Sequence, residues 1–172
     1  MKRLKRVAPF VLTAMLILLV AGCAGSKNVM RTEEGYAPTH LVVGEIIAYT
    51  QGQGMIKQQE MERLILQHLE EGLRNENVRH VRVRDRENSG VAPEQLGQID
   101  VEVTFLPTSG GMENSYDARF TYTVKRLSDG AMFDDGSAKS TDLSVSTGGT
   151  LDLDNAIRFA AQATVRKIKG RM

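Results

Sequence analysis

Beyond Leu41 the hydrophobic positions alternate between two periods. Leu41 to Tyr49 is apolar and rich in β-branched residues, which predicts a strand buried on at least one face. Gln51-Gly52-Gln53-Gly54 interrupts it. From about Met55 to Arg74 the pattern becomes helical. Met61, Leu64, Ile65, His68, Leu69 and Leu73 recur at three- and four-residue steps and form one stripe, and Asn75 or Asn77 can close the helix. Period two then returns. Val78 to Asp85 predicts a second strand with Val81 and Val83 inward. Ile99, Val101, Val103 and Phe105 alternate with Asp100, Glu102 and Thr104 in a third. Tyr116 to Leu127 forms a fourth, with Tyr116, Ala118, Phe120, Tyr122 and Val124 on one face and Asp117, Arg119, Thr121, Thr123 and Lys125 on the other. Ser128-Asp129-Gly130 is a hairpin signal leading into a weaker fifth strand within Ala131 to Val145, interrupted near Asp134-Asp135-Gly136 by a bulge. A last helix begins near Leu151, with Asp152 and Asp154 in its first turn and Arg166, Lys167 and Lys169 in its last, so both ends complement the helix dipole.

The order β-α-β-β-β-β-α, with two amphipathic helices, predicts an α+β fold: a two-layer sandwich with both helices on one face of a mostly antiparallel sheet. Clean alternation in the third and fourth strands implies that the other face is solvated.

The start of the chain follows a different logic. Lys2, Arg3, Lys5 and Arg6 precede an apolar run from Val7 to Val20, the arrangement of a secretory leader. The run is shorter than the roughly 20 apolar residues a membrane span needs. It ends in Val20-Ala21-Gly22-Cys23, and with this motif the chain resembles the precursors of bacterial lipoproteins. The resemblance implies cleavage before Cys23, diacylation of the Cys23 sulfur and a third acyl chain, such as palmitate, on the new amino group. Each buried CH₂ contributes about 0.8 kcal/mol, so two or more chains would anchor the protein firmly. Residues 1–22 are thus expected to be a signal peptide, 23–40 a lipidated tether and 41–172 a periplasmic domain. Ala24 stands where an aspartate commonly retains such lipoproteins at the inner membrane, so the resemblance implies the outer membrane, facing the periplasm. The same pattern resembles small bacterial envelope lipoproteins, the amino-terminal domain of the Tol-system propeller protein and the core of curli-secretion lipoproteins. The segments that carry this likeness are Leu41 to Tyr49, Met55 to Arg74 and the hairpin from Tyr116 to Lys139.

Composition narrows the chemistry. Of 172 residues one is cysteine and three are histidine, which excludes a disulfide framework and a multi-thiolate zinc site. The formal charge of +1 belongs to the leader. Its removal takes four of the 22 basic residues, leaving 18 against 21 acidic ones and a charge of −3, so nucleic acid is not an expected partner. Absence of tryptophan and 5% aromatics argue against stacking platforms.

Arg79, Arg82, Arg84 and Arg86 form the densest basic run, with His80 among them. On a strand, His80, Arg82, Arg84 and Arg86 would share one side. Their guanidinium groups could grip lipid phosphates, lipopolysaccharide or another polyanion, or could simply solvate an edge. Gly52-x-Gly54 lacks the third glycine of a dinucleotide loop, and no phosphate-loop Lys-Ser/Thr follows it. Asp129, Asp134, Asp135, Asp142, Asp152 and Asp154 do not follow the calcium-loop order and suit turns and a helix start. His68 lies on the apolar stripe, as a packed or boundary histidine would. No catalytic or metal-ligating residues are expected, and no cofactor apart from the covalent lipid on Cys23. The expected role is a non-enzymatic binding, assembly or secretion accessory with an envelope protein partner and a membrane anchor. The alternative is a binder of anionic lipid.

Overall fold

The computed structural model describes residues 36–49, 58–107, 116–143 and 151–172. The chain divides into two compact units, Met1–Met30 and Arg31–Met172, and every described residue belongs to the second. The leader and Cys23 lie outside the described residues. Six main elements follow in chain order: β1 (His40–Tyr49), α1 (Gln58–Asn75), β2 (Leu96–Pro107), β3 (Tyr116–Arg126), β4 (Met132–Lys139) and α2 (Leu153–Lys169). They form the α+β sandwich that the sequence predicts.

The four strands make one sheet in the order β1-β2-β3-β4. β1 runs parallel to β2, and the other two pairings are antiparallel. Alternation sets the faces of the two central strands. Ile99, Val101, Val103 and Phe105 pair with Val124, Tyr122, Phe120 and Ala118, and all eight are buried. They form the floor of a single core whose roof is Met61, Ile65, Leu69 and Leu73 of α1 with Ala156, Ile157, Ala160, Ala161, Val165 and Ile168 of α2. The alanines hold α2 close, and Gly72 of α1 admits the Val165 side chain.

β1 could not serve this core as a regular strand. Leu41 and Val43 face inward at its start, whereas Ile46 and Ala48 pair with the inward Val101 and Val103 further on. The change of parity takes one extra residue. The register passes from Val43↔Ile99 to Ile46↔Val101, so a bulge lies at Gly44–Glu45. A Cβ on Gly44 would collide with the Asp100 carboxylate and the Gln98 side chain, which explains the glycine. The Glu45 N–H donates to Asp100 Oδ1 at 3.0 Å.

Local chemistry closes the helices and turns. α1 ends on Asn77 in the left-handed region (φ 54°). The Val78 N–H donates to the Leu73 carbonyl at 2.9 Å and the Asn77 N–H to the Arg74 carbonyl at 3.0 Å, a Schellman closure with the buried Val78 and Leu73 beside it. Asp152 caps α2 by accepting the Asn155 N–H at 2.8 Å. The β3–β4 hairpin turns through Gly130 (φ 74°), and Asp129 Oδ1 accepts the Ala131 N–H at 3.0 Å.

Two expectations fail. Val78 to Asp85 is not a strand. Only His80 bridges Leu41, with Leu41 N–H to the Arg79 carbonyl at 2.9 Å and Val81 N–H to the Leu41 carbonyl at 2.8 Å. A ladder continued from there would meet β1 at its bulge, and the chain instead enters a 3₁₀ turn at Val83–Asn88. Val81 is buried as expected, but Val83 is 43% exposed. The second failure is small. The β4 bulge falls at Phe133, between Met132↔Lys125 and Asp134↔Val124, rather than at Asp134-Asp135-Gly136. Gly136 has a different task, because a Cβ there would approach the Tyr122 hydroxyl to 2.8 Å.

Replacing Gly44 with alanine should therefore cost about 1–3 kcal/mol of stability, as overpacked sites do. Urea unfolding measures it, and an unchanged midpoint would show that the bulge tolerates a side chain.

Candidate functional site

The sheet face turned away from the helices carries the polar half of each alternation. Gln98, Asp100, Glu102 and Thr104 of β2 lie opposite Lys125, Thr123, Thr121 and Arg119 of β3. A shallow depression of about 240 Å³ opens here, lined by Glu45 and Ile47 of β1, Asp100 and Glu102 of β2, and Thr121, Thr123 and Lys125 of β3. Asp100 is its organising group. Its carboxylate accepts the Glu45 N–H at 3.0 Å, the Gln98 amide at 2.7 Å and the Lys125 ammonium at 3.2 Å. With side chains 20% and 35% exposed, Asp100 and Lys125 are partly withdrawn from water, so this pair is better defined than a free surface contact. Chemically the depression offers carboxylates, hydroxyls and one ammonium around the Ile47 side chain. Its volume falls short of the roughly 300–1,000 Å³ of small-molecule pockets, and its form suits a docked surface rather than an enclosed ligand.

The arginines occupy another place. Arg79, Arg82, Arg84 and Arg86 are all exposed. They do not share a strand face, because the segment turns at Val83–Asn88. Arg84 Nε lies 3.9 Å from Asp85 Oδ1 with both side chains well solvated, a contact of little energetic weight. The structure does gather the run at one end of the sheet. The connection through residues 82–95 leads directly into β2, and the Thr39 N–H, just ahead of β1, donates to the Gln95 carbonyl at 3.0 Å.

The aspartates that could have suggested a metal are dispersed into local roles. Asp142 accepts the Lys167 ammonium at 2.8 Å and the Lys139 N–H at 3.1 Å, Asp152 caps α2, and Asp154 meets His68. Among the described residues no group of three His, Cys, Asp or Glu side chains could hold a metal ion. No helix among them is long and apolar enough to cross a membrane. Gly52-x-Gly54, like Cys23, lies outside the described residues.

No family model matches the chain, and no curated protein matches it significantly. Among solved structures it is similar to a PelC dodecamer variant from Paraburkholderia phytofirmans, at 15% identity over 78% of this chain and 87% of that one, with a TM-score of 0.44. It is also similar to the hypothetical protein CT253 from Chlamydia trachomatis, at 12% identity, 78% and 95% coverage and a TM-score of 0.44. A putative neuraminyllactose-binding hemagglutinin homolog from Helicobacter pylori matches at 11% identity, 79% and 85% coverage and a TM-score of 0.38. All three are bacterial proteins. Scores and identities this low give no basis for assigning a function from any of them.

Three groups escaped the reading of the sequence. Tyr36, inside the stretch read as tether, is fixed to the domain: its hydroxyl donates to the Leu96 carbonyl at 3.2 Å. The Arg126 guanidinium lies 4.1 Å from its ring centre, and Phe133 meets it edge-on at 6.0 Å. His68 is buried as expected, but it also has a partner. Its Nε2 lies 2.8 Å from Asp154 Oδ1, joining α1 to the first turn of α2, and its Nδ1 is 3.4 Å from Glu71 Oε2. Finally, the buried Tyr122 hydroxyl donates to Asp134 Oδ2 at 3.3 Å. Burial first, then the Asp134 charge, pushes that hydroxyl up to about 12, and desolvation also raises the Asp134 carboxyl.

These shifts give opposite pH responses. Asp134, raised in the folded state, contributes stability at acid pH that is lost as pH rises through its folded value. Glu76 is lowered by its hydrogen bond to Arg166 and then by Lys169, and Asp142 by Lys167, so their contributions hold at neutral pH and are lost as acid protonates them. Glu76→Gln should lower stability at neutral pH and shrink the loss between neutrality and the lower end of the carboxylate range. Urea midpoints across pH test this; parallel profiles for the variant and the parent would contradict it.

Proposed function

We propose that this protein is a lipid-anchored component of the bacterial envelope that binds another envelope protein through its open sheet face and serves assembly or secretion without catalysing a reaction. The observation that carries the reading is the asymmetry of the sheet. One face is sealed by two helices, while the other presents a pre-ordered polar depression built around Asp100. An ordered polar surface loses little side-chain entropy on docking, which favours binding.

The strand edges are less suited to the task. β4 carries Asp134 and Asp135, and its Ser137 carbonyl already accepts the Lys167 ammonium at 2.8 Å. The opening of β1 is occupied by residues 79–81. Charges and occupied backbone groups of this kind discourage strand addition, so docking on the face is the proposed mode. The leader motif ending at Cys23 supports the anchored location, and Ala24 supports the outer membrane with the domain in the periplasm.

A photo-crosslinking residue at Thr121, on the open face, should capture a defined partner in the native envelope. The same residue at Arg63, exposed on α1, should not. Charge reversal at Glu102 together with Thr123→Arg should abolish the product and leave stability within about 0.5 kcal/mol, as for surface positions generally. Equal capture from both positions, or capture that survives the charge changes, would overturn the reading.

A further inference from the structure

The end of the domain at which the described chain begins is also the end that carries the arginines. Register fixes this. His40 pairs with Leu96, Gly97 with Arg126, and Lys125 with Met132, so the starts of β1 and β2 lie level with the β3–β4 hairpin. Tyr36 is clamped there between the Leu96 carbonyl, Arg126 and Phe133. Residues 82–95 reach the same end, tied to Thr39 through Gln95. In residues 82–89, Arg82, Arg84 and Arg86 alternate along the chain with Val83, Asp85 and Glu87, and the Val83 side chain is 43% exposed. Among the described residues, no carboxylate pairs with the guanidinium groups of Arg79, Arg82 or Arg86.

Chain length adds the second constraint. Thirteen peptide steps separate Cys23 from Tyr36. Even fully extended they reach at most roughly 45 Å. An acylated Cys23 would therefore keep this end of the domain, rather than the opposite one, within short range of its leaflet.

We propose that residues 82–89 rest on anionic phospholipid headgroups of the leaflet that holds the anchor, standing the strands upright so that the open sheet face is clear of the membrane. The proposal rests on the lipid-anchor reading. Arg82, Arg84 and Arg86 supply the phosphate contacts, and Val83 enters the interface between headgroups and acyl chains. Asp85 lies between Arg84 and Arg86, Glu87 follows Arg86, and the chain without its leader carries a charge of −3, so the loop is no free-standing polycation. Attraction to an anionic surface fades within about 8 Å in physiological salt. The contact thus depends on the anchor, which supplies a high local concentration of the loop at the surface.

The test uses the full acylated chain from a lipoprotein-modifying host, with acylation established by intact mass. It is placed in phosphatidylcholine vesicles with or without phosphatidylglycerol, and amide hydrogen exchange of residues 82–89 is followed. Phosphatidylglycerol should slow exchange there by on the order of tenfold. Arg82→Glu, Arg84→Glu and Arg86→Glu together should remove the effect, the corresponding lysine variants should retain it, and a chain begun at residue 24, which lacks both the leader and Cys23, should not sediment with either vesicle. Equal exchange in both vesicles for the acylated protein would overturn the loop contact and leave the anchor standing. An unacylated mass would remove the anchor and the loop contact together. Loss of protection in the lysine variants as well would show that the loop's conformation, and not its charge, responds to the lipid.

Discussion

One hydrogen bond ties the fold to its exposed face. The Glu45 amide at the β1 bulge donates to the Asp100 carboxylate on the neighbouring strand. Without the bulge, β1 could offer the core either Leu41 and Val43 or Ile46 and Ala48, but not both, because a strand's side chains alternate strictly. With it, all four face inward, and a backbone N–H is turned out of the ladder toward the polar face. Asp100 accepts that donor and also gathers Gln98 and Lys125. The arrangement that completes the core on one side is therefore the one that orders the depression on the other.

Ion pairs from the last turns of α2 fasten the same layered body at its margin. Glu76, just past α1, receives Arg166 at 2.6 Å and Lys169 at 3.3 Å from the last turns of α2. Lys167 reaches the Ser137 carbonyl and Asp142 on the β4 side. Helix dipole complementarity accounts for basic residues at that end of α2, and the structure gives each a specific partner as well. Such contacts are individually small at a solvated surface.

What the sequence made legible follows from how local each determinant is. β2 and β3 repeat with period two over several residues, and α1 and α2 carry single apolar stripes, so their types and faces could be read directly. Val78 to Asp85 looked like a strand because Val78, Val81 and Val83 are β-branched. Its pairing was curtailed by a bulge nearly forty residues away, which no local pattern reports. The arginines consequently share an end of the sheet instead of a face. Tyr36 left a faint sign as the sole aromatic between Ala24 and Thr39. The pairing of His68 with Asp154, 86 residues apart, left none, since each residue already had an adequate local explanation. Asp100 was visible only as one polar member of an alternating strand. Its central position depends on Gly44 and Glu45, which are brought to it by a parallel crossover.

The functional account joins these levels: a bulge that lets one strand serve two surfaces, a sealed core, and an ordered face available to a partner. Native-state amide exchange of Glu45 in the parent and in Asp100→Ala tests the link most directly. The account predicts a protected Glu45 amide in the parent, and in the variant a loss of protection confined to Glu45 and its neighbours while the β2–β3 ladder stays protected. A Glu45 amide that exchanges freely in the parent, or one unaffected by the loss of Asp100, would contradict it.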